Sequence, residues 1–533
     1  MNVLLVYARF PTTYWGFQYA MQLAGKGATL PPLGLVSLAA LLPPDWTPRI
    51  VDLNVEPLSD EHLQWADTVF VSGMHIQADS MHAVLARAKA AGLRTAVGGP
   101  SATSCQDDPY KDADVVFQGE VEGRIEELVV AVNGTDRVIL PDPGKGYPAL
   151  DTATVPRYDL INLDHYTSAS LQYSRGCPFQ CEFCDIIEMF GRKTRTKSAT
   201  QVFAELQSLY DLGYRGSLFF VDDNFIGNKK EVRALLPELE KWQAQRDFPF
   251  ELYTEASLNL AQDQPLLDAM VSAGFSSVFL GIETPSKEAL RGTKKLQNLK
   301  LDLSEAVTQI TRCGLEVMGG FIVGFDEDTE DVFDLQRAFI LHAPIPLAMV
   351  GMLTALPSTA LWRRLESEGR LRGTVSGDSF ARPNFVPRLD EEVLLRGYRD
   401  LLQDVYAPAA YYERCAQVVR LAPRPRFRRK ARWADVATLL RTVVRVGLFS
   451  GRRWLYWRLL VSTLARSPHA FPNSIAQVVR GEHLIRYTQD VILPLLRRSL
   501  AELQHERRLG TERPSPAPVA QSRQLISSES LVR

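Results

Sequence analysis

Two hydrophobic periodicities divide the chain. In the first 135 residues, short apolar runs at 3–7, 49–54, 68–74, 94–98 and 114–118 alternate with stretches at 33–42, 78–91 and 122–132 whose apolar positions recur at helical spacing. Strands alternating with helices predict a Rossmann-like, doubly wound parallel sheet over residues 1–135. Such sheets hold ligands at the carboxyl ends of their strands. Those ends read Asp52-Leu53-Asn54, Ser72-Gly73-Met74, Gly98-Gly99-Pro100 and Gly119-Glu120. Paired glycines let the backbone approach a ligand closely. His75, just past the third strand, reads as a satisfied structural histidine. Residues 136–170 are rich in proline and glycine and predict a linker folded back over the core.

The alternation resumes at 171–378. Apolar strands at 218–221, 250–253, 277–280, 317–323 and 350–354 each run into polar or glycine-containing turns. With one strand ahead of them they make about six βα units, an open (β/α)6 partial barrel with its site at the strand ends. From 379 to 510 the pattern turns helical, 389–411 being the strongest amphipathic stretch. The tail 511–533, rich in serine and proline, predicts disorder.

Composition narrows the class. The chain has 533 residues, 46% of them hydrophobic, and a net charge of −2, so nothing global points to nucleic acid. Its N-terminus reads as a strand rather than a signal peptide. The least polar long window, 339–357, contains His342, Pro344 and Pro346, which argues against a membrane span. Six scattered cysteines do not form a secreted disulfide framework and suit a reducing, cytoplasmic compartment.

Three of those cysteines carry chemistry. Ser174-Arg175-Gly176 leads into Cys177-Pro178-Phe179-Gln180-Cys181-Glu182-Phe183-Cys184-Asp185. Cys177, Cys181 and Cys184 at Cys-x3-Cys-x2-Cys spacing can hold three irons of a 4Fe-4S cluster and leave the fourth iron open for a substrate. A zinc loop closed by a distant fourth ligand is the competing reading.

The spacing, with Phe183 before the last cysteine, resembles the cluster loop of radical S-adenosylmethionine (SAM) enzymes. In that family the open iron chelates the amino and carboxylate groups of SAM. The resemblance implies SAM-binding positions at Phe183, Asp222, Asp223, Asn224, Glu255, Glu283 and Ile322. Asp222-Asp223-Asn224 stands where the family often has Gly-Gly-Glu, which receives the methionine amino group. Gly320-Phe321-Ile322-Val323-Gly324 is similar to the strand that meets the adenine through its backbone. The N-terminal strand ends look like the cobalamin domain that precedes many such cores, implying cobalamin contacts at Asn54, Ser72, Met74, Gly98, Gly99, Gly119 and Glu120. The Asp-x-His-x-x-Gly motif of methionine-synthase-type cobalamin domains is replaced by Asp52-Leu53-Asn54-Val55-Glu56-Pro57, so no lower cobalt ligand is named. The blocks 65–77, 173–185 and 351–357 and the helical extension resemble the hopanoid C-2 methylase branch.

The resemblance implies methyl transfer to an unactivated carbon, with a polycyclic or other lipid as substrate and a reducing partner such as flavodoxin or ferredoxin. The rivals are a non-methylating cyclisation or rearrangement with the same cofactors, and a methylthiotransferase acting on RNA or protein. The latter usually needs a second cysteine trio, which Cys105, Cys313 and Cys415 do not form. Between 421 and 460 lie eleven Lys/Arg against the single acid Asp435, interleaved with Trp433, Phe449, Trp454, Tyr456 and Trp457. Val436, Leu439, Leu440, Val443 and Val444 share one helical face, away from Arg441 and Arg445. Such a block suits peripheral contact with an anionic membrane, or a bundle docked on the barrel with its basic face in water. RNA is disfavoured by the lack of an RNA-binding motif. The aromatic first connection, 10–19, is placed to cover cobalamin or substrate.

Overall fold

The computed structural model describes residues 1–104, 108–142, 146–372, 380, 382–427 and 432–510. Cys105, residue 379, Arg428, Arg429, Lys430 and the tail from Thr511 lie outside the described residues.

The first sheet comprises β1 (Asn2–Tyr7), β2 (Thr47–Asp52), β3 (Thr68–Ser72), β4 (Arg94–Gly98), β5 (Val115–Phe117) and β6 (Val138–Leu140). All pairs are parallel, in the order β2-β1-β3-β4-β5-β6. Val3, Leu4, Leu5 and Val6 are wholly buried, as a strand covered by helices on both faces requires. The order reverses between β1 and β3, which is where a doubly wound sheet opens a ligand crevice.

β6 comes from the stretch read as a linker, so the sheet takes one strand more than the periodicity indicates. Between β6 and residue 167 the described residues include three short turns, Leu150–Thr152, Tyr158–Leu160 and Leu163–His165. Tyr166 donates its hydroxyl to Asp52 Oδ2 (3.0 Å), and Tyr158 donates to the Ser170 carbonyl (2.8 Å).

The second sheet starts with β7 (Ser168–Leu171). A two-stranded antiparallel neck follows, β8 (Ser174–Arg175) with β9 (Arg195–Thr196). The sheet continues with β10 (Gly216–Phe220), β11 (Phe250–Ala256), β12 (Phe275–Glu283), β13 (Glu316–Val323) and β14 (Ala348–Met352). The order β14-β13-β12-β11-β10-β7 is wholly parallel, a six-stranded half-barrel. Along β10, β11 and β13 buried residues alternate with partly exposed ones. The buried set packs against helices, and the other set, including Phe219, Tyr253, Glu255 and Ile322, lines the lumen. Phe219 and Tyr253, paired across β10 and β11, stack with ring centroids 4.7 Å apart.

The helical region begins in earnest at Glu391–Val405 and Pro408–Leu421. The single amphipathic helix expected over 389–411 is therefore two, because Pro408 takes the first position of the second and cannot donate within the first. The first of these helices covers the open edge of the half-barrel: Tyr398 donates to the Val350 carbonyl (2.8 Å) and Tyr406 to that of Ala348. The helices Trp433–Thr442, Arg453–Arg466, Phe471–Tyr487 and Leu493–Leu509 follow. Among the described residues no helix is long and apolar enough to cross a membrane.

Candidate active site

Residues 176–194 leave and re-enter the barrel through the β8/β9 neck, so the three cysteines sit on a loop closed at its base. Gly176 stands at φ 90°, and a Cβ there would lie 2.8–3.0 Å from the carbonyls of Phe190, Gly191 and Lys193. Only glycine fits. The thiols lie close enough to act on one another's ionisation, and burial pushes those of Cys177 and Cys184 upward. As free thiols they stay protonated, and a bound metal converts them to thiolates. Among the described residues no three His, Cys, Asp or Glu side chains converge as a single metal ion demands. A cluster distributes its thiolates over several irons and asks for no such convergence. Asn224 Nδ2 lies 3.9 Å from Cys177 Sγ, and Gln297 Nε2 lies 3.7 Å from Cys181 Sγ.

Ion pairs pin this loop on both flanks. On the side of the first sheet, Arg175 reaches Glu120 (2.5 Å) and Glu122 (2.7 Å), while Arg195 reaches Glu120 (2.6 Å). All are largely buried. Burial alone would raise the Glu122 carboxyl, but Arg175 holds it below its usual value. On the far side Glu182, between Cys181 and Phe183, accepts from Arg364 (2.7 Å), which also reaches Asp326 (2.6 Å). Arg175 and Arg195 are thus matched by the protein's own carboxylates.

The expected SAM residues divide into two kinds. Asp222 is fully buried and holds the neck, accepting from Tyr173 N (2.8 Å) and Ser174 Oγ (2.6 Å). Asn224 ties the loop to β11, its Oδ1 accepting from Ser257 N (3.2 Å). Glu283 is re-aimed by a bulge in β12 and stands at φ 67°. It pairs at 2.5 Å with buried Lys295. Burial would lower the Lys295 ammonium, but Glu283 and the thiols of Cys181 and Cys184 reverse this and raise it. Gly281 leaves room for the pair, since a Cβ there would lie 2.5 Å from the carboxylate. Asp223 and Glu255 differ. Asp223 accepts a long bond from Gly176 N (3.3 Å), and among the described residues neither carboxylate forms an ion pair. Burial, helped by neighbouring carboxylates (Asp223 on Asp222, Asp185 on Asp223, and Asp223 with Asp222 on Glu255), pushes Asp222 to about 7, Asp223 to about 6 and Glu255 to about 8. Phe183 packs on Phe325 (5.9 Å between centroids) beside Ile322, whose carbonyl accepts from Gln336 (2.7 Å).

At the first sheet, Asn54 is fixed by Phe10 N and Asp52 Oδ1 (2.9 and 2.6 Å). Gly99 and Gly119 stand at φ 90° and 88°. A Cβ on Gly99 would lie 2.5 Å from Ser72 Oγ. Met74 projects into solvent at 49% exposure, unusual for a methionine at a strand end. Glu120 faces the cluster loop through its arginines. His75, expected to be satisfied, leaves its buried Nε2 without a partner. A cleft of 470 Å³ lined by Arg9, Phe10, Leu53 and Ile76 lies on this sheet; Phe10 also bonds Asn54, but the expected cofactor residues are not among its lining. The first connection does reach the barrel: the Trp15 ring packs on Phe279 of β12 (4.9 Å). Tyr14 is buried among Phe380, Tyr406 and Tyr487.

Reading the sequence overlooked Glu122, Lys295, Gln297 and Arg364. Lys295 follows Lys294 in an unremarkable basic stretch, and Arg364 lies 182 residues from Glu182. No local pattern marks either.

A parallel half-barrel entered by a three-cysteine loop is the architecture of radical SAM enzymes, and the Radical SAM superfamily model matches residues 171–337. A second model, Domain of unknown function (DUF4070), matches 359–493, the helical extension. The chain is 40% identical to an uncharacterized methyltransferase of Synechocystis sp., covering 92% of each. It is 35% identical to the hopanoid C-2 methylase of Rhodopseudomonas palustris, covering 92% of this chain and 94% of that one. The fold is shared with the radical SAM methyltransferase TsrM of Kitasatospora setae, solved with cobalamin and a 4Fe-4S cluster (TM-score 0.58, 15% identity, 88% of this chain and 99% of that one). The chain belongs to the radical SAM methyltransferases, in the group that contains hopanoid C-2 methylase.

Proposed function

We propose that this enzyme is a cobalamin-dependent radical SAM methyltransferase acting on an unactivated carbon of a polycyclic or other apolar lipid. The carrying observation is the cysteine loop set beside two carboxylates, Asp223 and Glu255, that form no ion pair among the described residues. A ligand with an ammonium group beside a metal-chelating carboxylate suits that arrangement, and SAM is such a ligand. When bound, the cluster supplies the electron that cleaves SAM to a 5′-deoxyadenosyl radical, and cobalamin supplies the methyl group.

The chain's residues then have distinct tasks. Cys177, Cys181 and Cys184 hold three irons. Asp223, Asn224 and Glu255 receive the methionine ammonium. Asp222 fixes the neck, and Glu283, set by Lys295, fixes the opposite wall. Phe183 and Ile322 flank the adenine. Gly98, Gly99 and Gly119, with Asn54, Ser72 and Met74, form the cobalamin cradle. Glu120 joins that cradle to the cluster loop through Arg175. The aromatic lumen, with Phe219, Tyr253, Phe279 and Trp15, suits an apolar substrate and excludes water. A flavodoxin or ferredoxin provides the electron.

Anaerobic turnover with reductant, hydroxocobalamin and methyl-labelled SAM on a lipid extract tests this. Labelled lipid with both 5′-deoxyadenosine and S-adenosylhomocysteine is the expected result. 5′-Deoxyadenosine with no methyl transfer to any lipid fraction would overturn the methylase reading.

A further inference from the structure

The helices Trp433–Thr442 and Arg453–Arg466, with the turn between them, form a hairpin whose apolar residues point the wrong way for a docked bundle. Trp433, Val436, Leu440, Val444 and Leu448 follow helical spacing and are all exposed, and Trp454, Trp457, Val461 and Leu464 make a second exposed stripe. Phe449 joins them at the turn. Trp433 is 87%, Phe449 82% and Trp454 76% exposed, values that large aromatics rarely reach on a free surface. The hairpin is nonetheless well built. Trp457 Nε1 donates to the Gly447 carbonyl (3.0 Å), and the Thr442 and Tyr456 hydroxyls are 3.1 Å apart.

Charge identifies what covers this face. Arg453 and Arg458 flank the second stripe and Arg466 ends it, all exposed and without an ion pair among the described residues. The only acid between 421 and 460 is Asp435, which is turned back to cap its own helix at Arg432 N (2.8 Å). Aromatic and aliphatic side chains fringed by arginine match the boundary between acyl chains and anionic headgroups. Arg441 and Arg445, by contrast, are taken up at their tips by the protein: they donate to the Leu23 carbonyl (3.2 Å) and to Gln22 Oε1 (2.8 Å) on the helix Gln18–Ala24. That helix directly follows Trp15, which packs on Phe279 in the lumen.

We infer that the 433–466 hairpin inserts into the surface of an anionic bilayer and holds the Trp15 connection beside it as the entry for an apolar substrate. The membrane contact goes beyond the methylation reading; only the direction of substrate entry rests on it.

The test uses the full chain with its cluster, centrifuged with vesicles of phosphatidylcholine alone or mixed with phosphatidylglycerol. The native protein is expected to co-sediment with the mixed vesicles and to show tryptophan quenching by brominated lipid. The triple variant Trp433→Ser/Phe449→Ser/Trp454→Ser should lower its bound-to-free ratio by roughly tenfold or more. Arg453→Glu/Arg458→Glu should abolish the preference for the anionic lipid. Equal sedimentation of native and variant chains would overturn the proposal. So would a native dimer in solution that the triple variant converts to monomer, since a second copy would then cover the face. SAM cleavage without vesicles is measured in parallel. Its failure in the native chain would sink the radical reading and leave the vesicle result standing.

Discussion

Two groups of buried carboxylates flank the cysteine loop, and they behave oppositely. Glu120, Glu122, Glu182 and Asp326 each meet an arginine within 2.7 Å. Arginines hold Glu122 and Asp326 below their usual range even though burial opposes it. Asp223, which accepts from Gly176 N at the base of the same loop, and Glu255 form no ion pair among the described residues, and burial raises both. The difference separates architecture from appetite. A paired buried carboxylate is satisfied and holds two parts together; an unpaired one costs stability until a cation arrives.

The largest expected effect comes from the loop between the groups. Cys184→Ser should abolish the iron-dependent absorbance near the visible edge and all SAM cleavage, measured by iron content and 5′-deoxyadenosine. Next, Glu122→Gln leaves Arg175 short of a buried partner and should destabilise the protein by about 3 kcal/mol in denaturant unfolding. An unchanged midpoint would show that this pair is not a structural clamp.

Glu255→Gln should do the reverse. It should weaken SAM binding by roughly tenfold or more while leaving the unliganded protein at least as stable as the native one. The sign follows from the raised carboxyl: its ionisation costs stability as pH climbs from the usual carboxylate range to about 8, and glutamine removes that cost. The smallest effect is the pH profile itself. SAM affinity in calorimetric titration should rise with pH up to about 8 and level off above it, and Glu255→Gln should flatten the rise.

Much of this was legible in the chain. Short apolar runs located most strands of both sheets, though not β6, and the spacing of Cys177, Cys181 and Cys184 located the loop. Strand ends pointed to Asp222, Asp223, Asn224, Glu255 and Glu283 as one site. What stayed hidden was which of them are already partnered. Lys295 reaches Glu283 only because a bulge turns β12, and Arg175 reaches Glu122 across 53 residues and a seam between two sheets. The basic block left two orientations open, its apolar face on an anionic membrane or docked on the barrel with the basic face in water. The chain folds the stripe from Val436 to Leu448 outward and turns Arg441 and Arg445 onto the first helix. Helical periodicity fixes which residues share a face, never which face meets the rest of the protein.

The β8/β9 neck has a last consequence, for assembly. Ser174 and Arg175 pair with Thr196 and Arg195 through backbone alone, and Asp222 locks the entry with two further bonds. The ends of the cysteine loop are therefore joined by the polypeptide itself, and the metal is not needed to close it. In many small metal domains the ion is the staple, and chelation unfolds the chain. Here metallation and folding are separable events. Stripping the iron should therefore leave a folded receptacle, so that rebuilding the cluster would be an act of filling rather than of refolding.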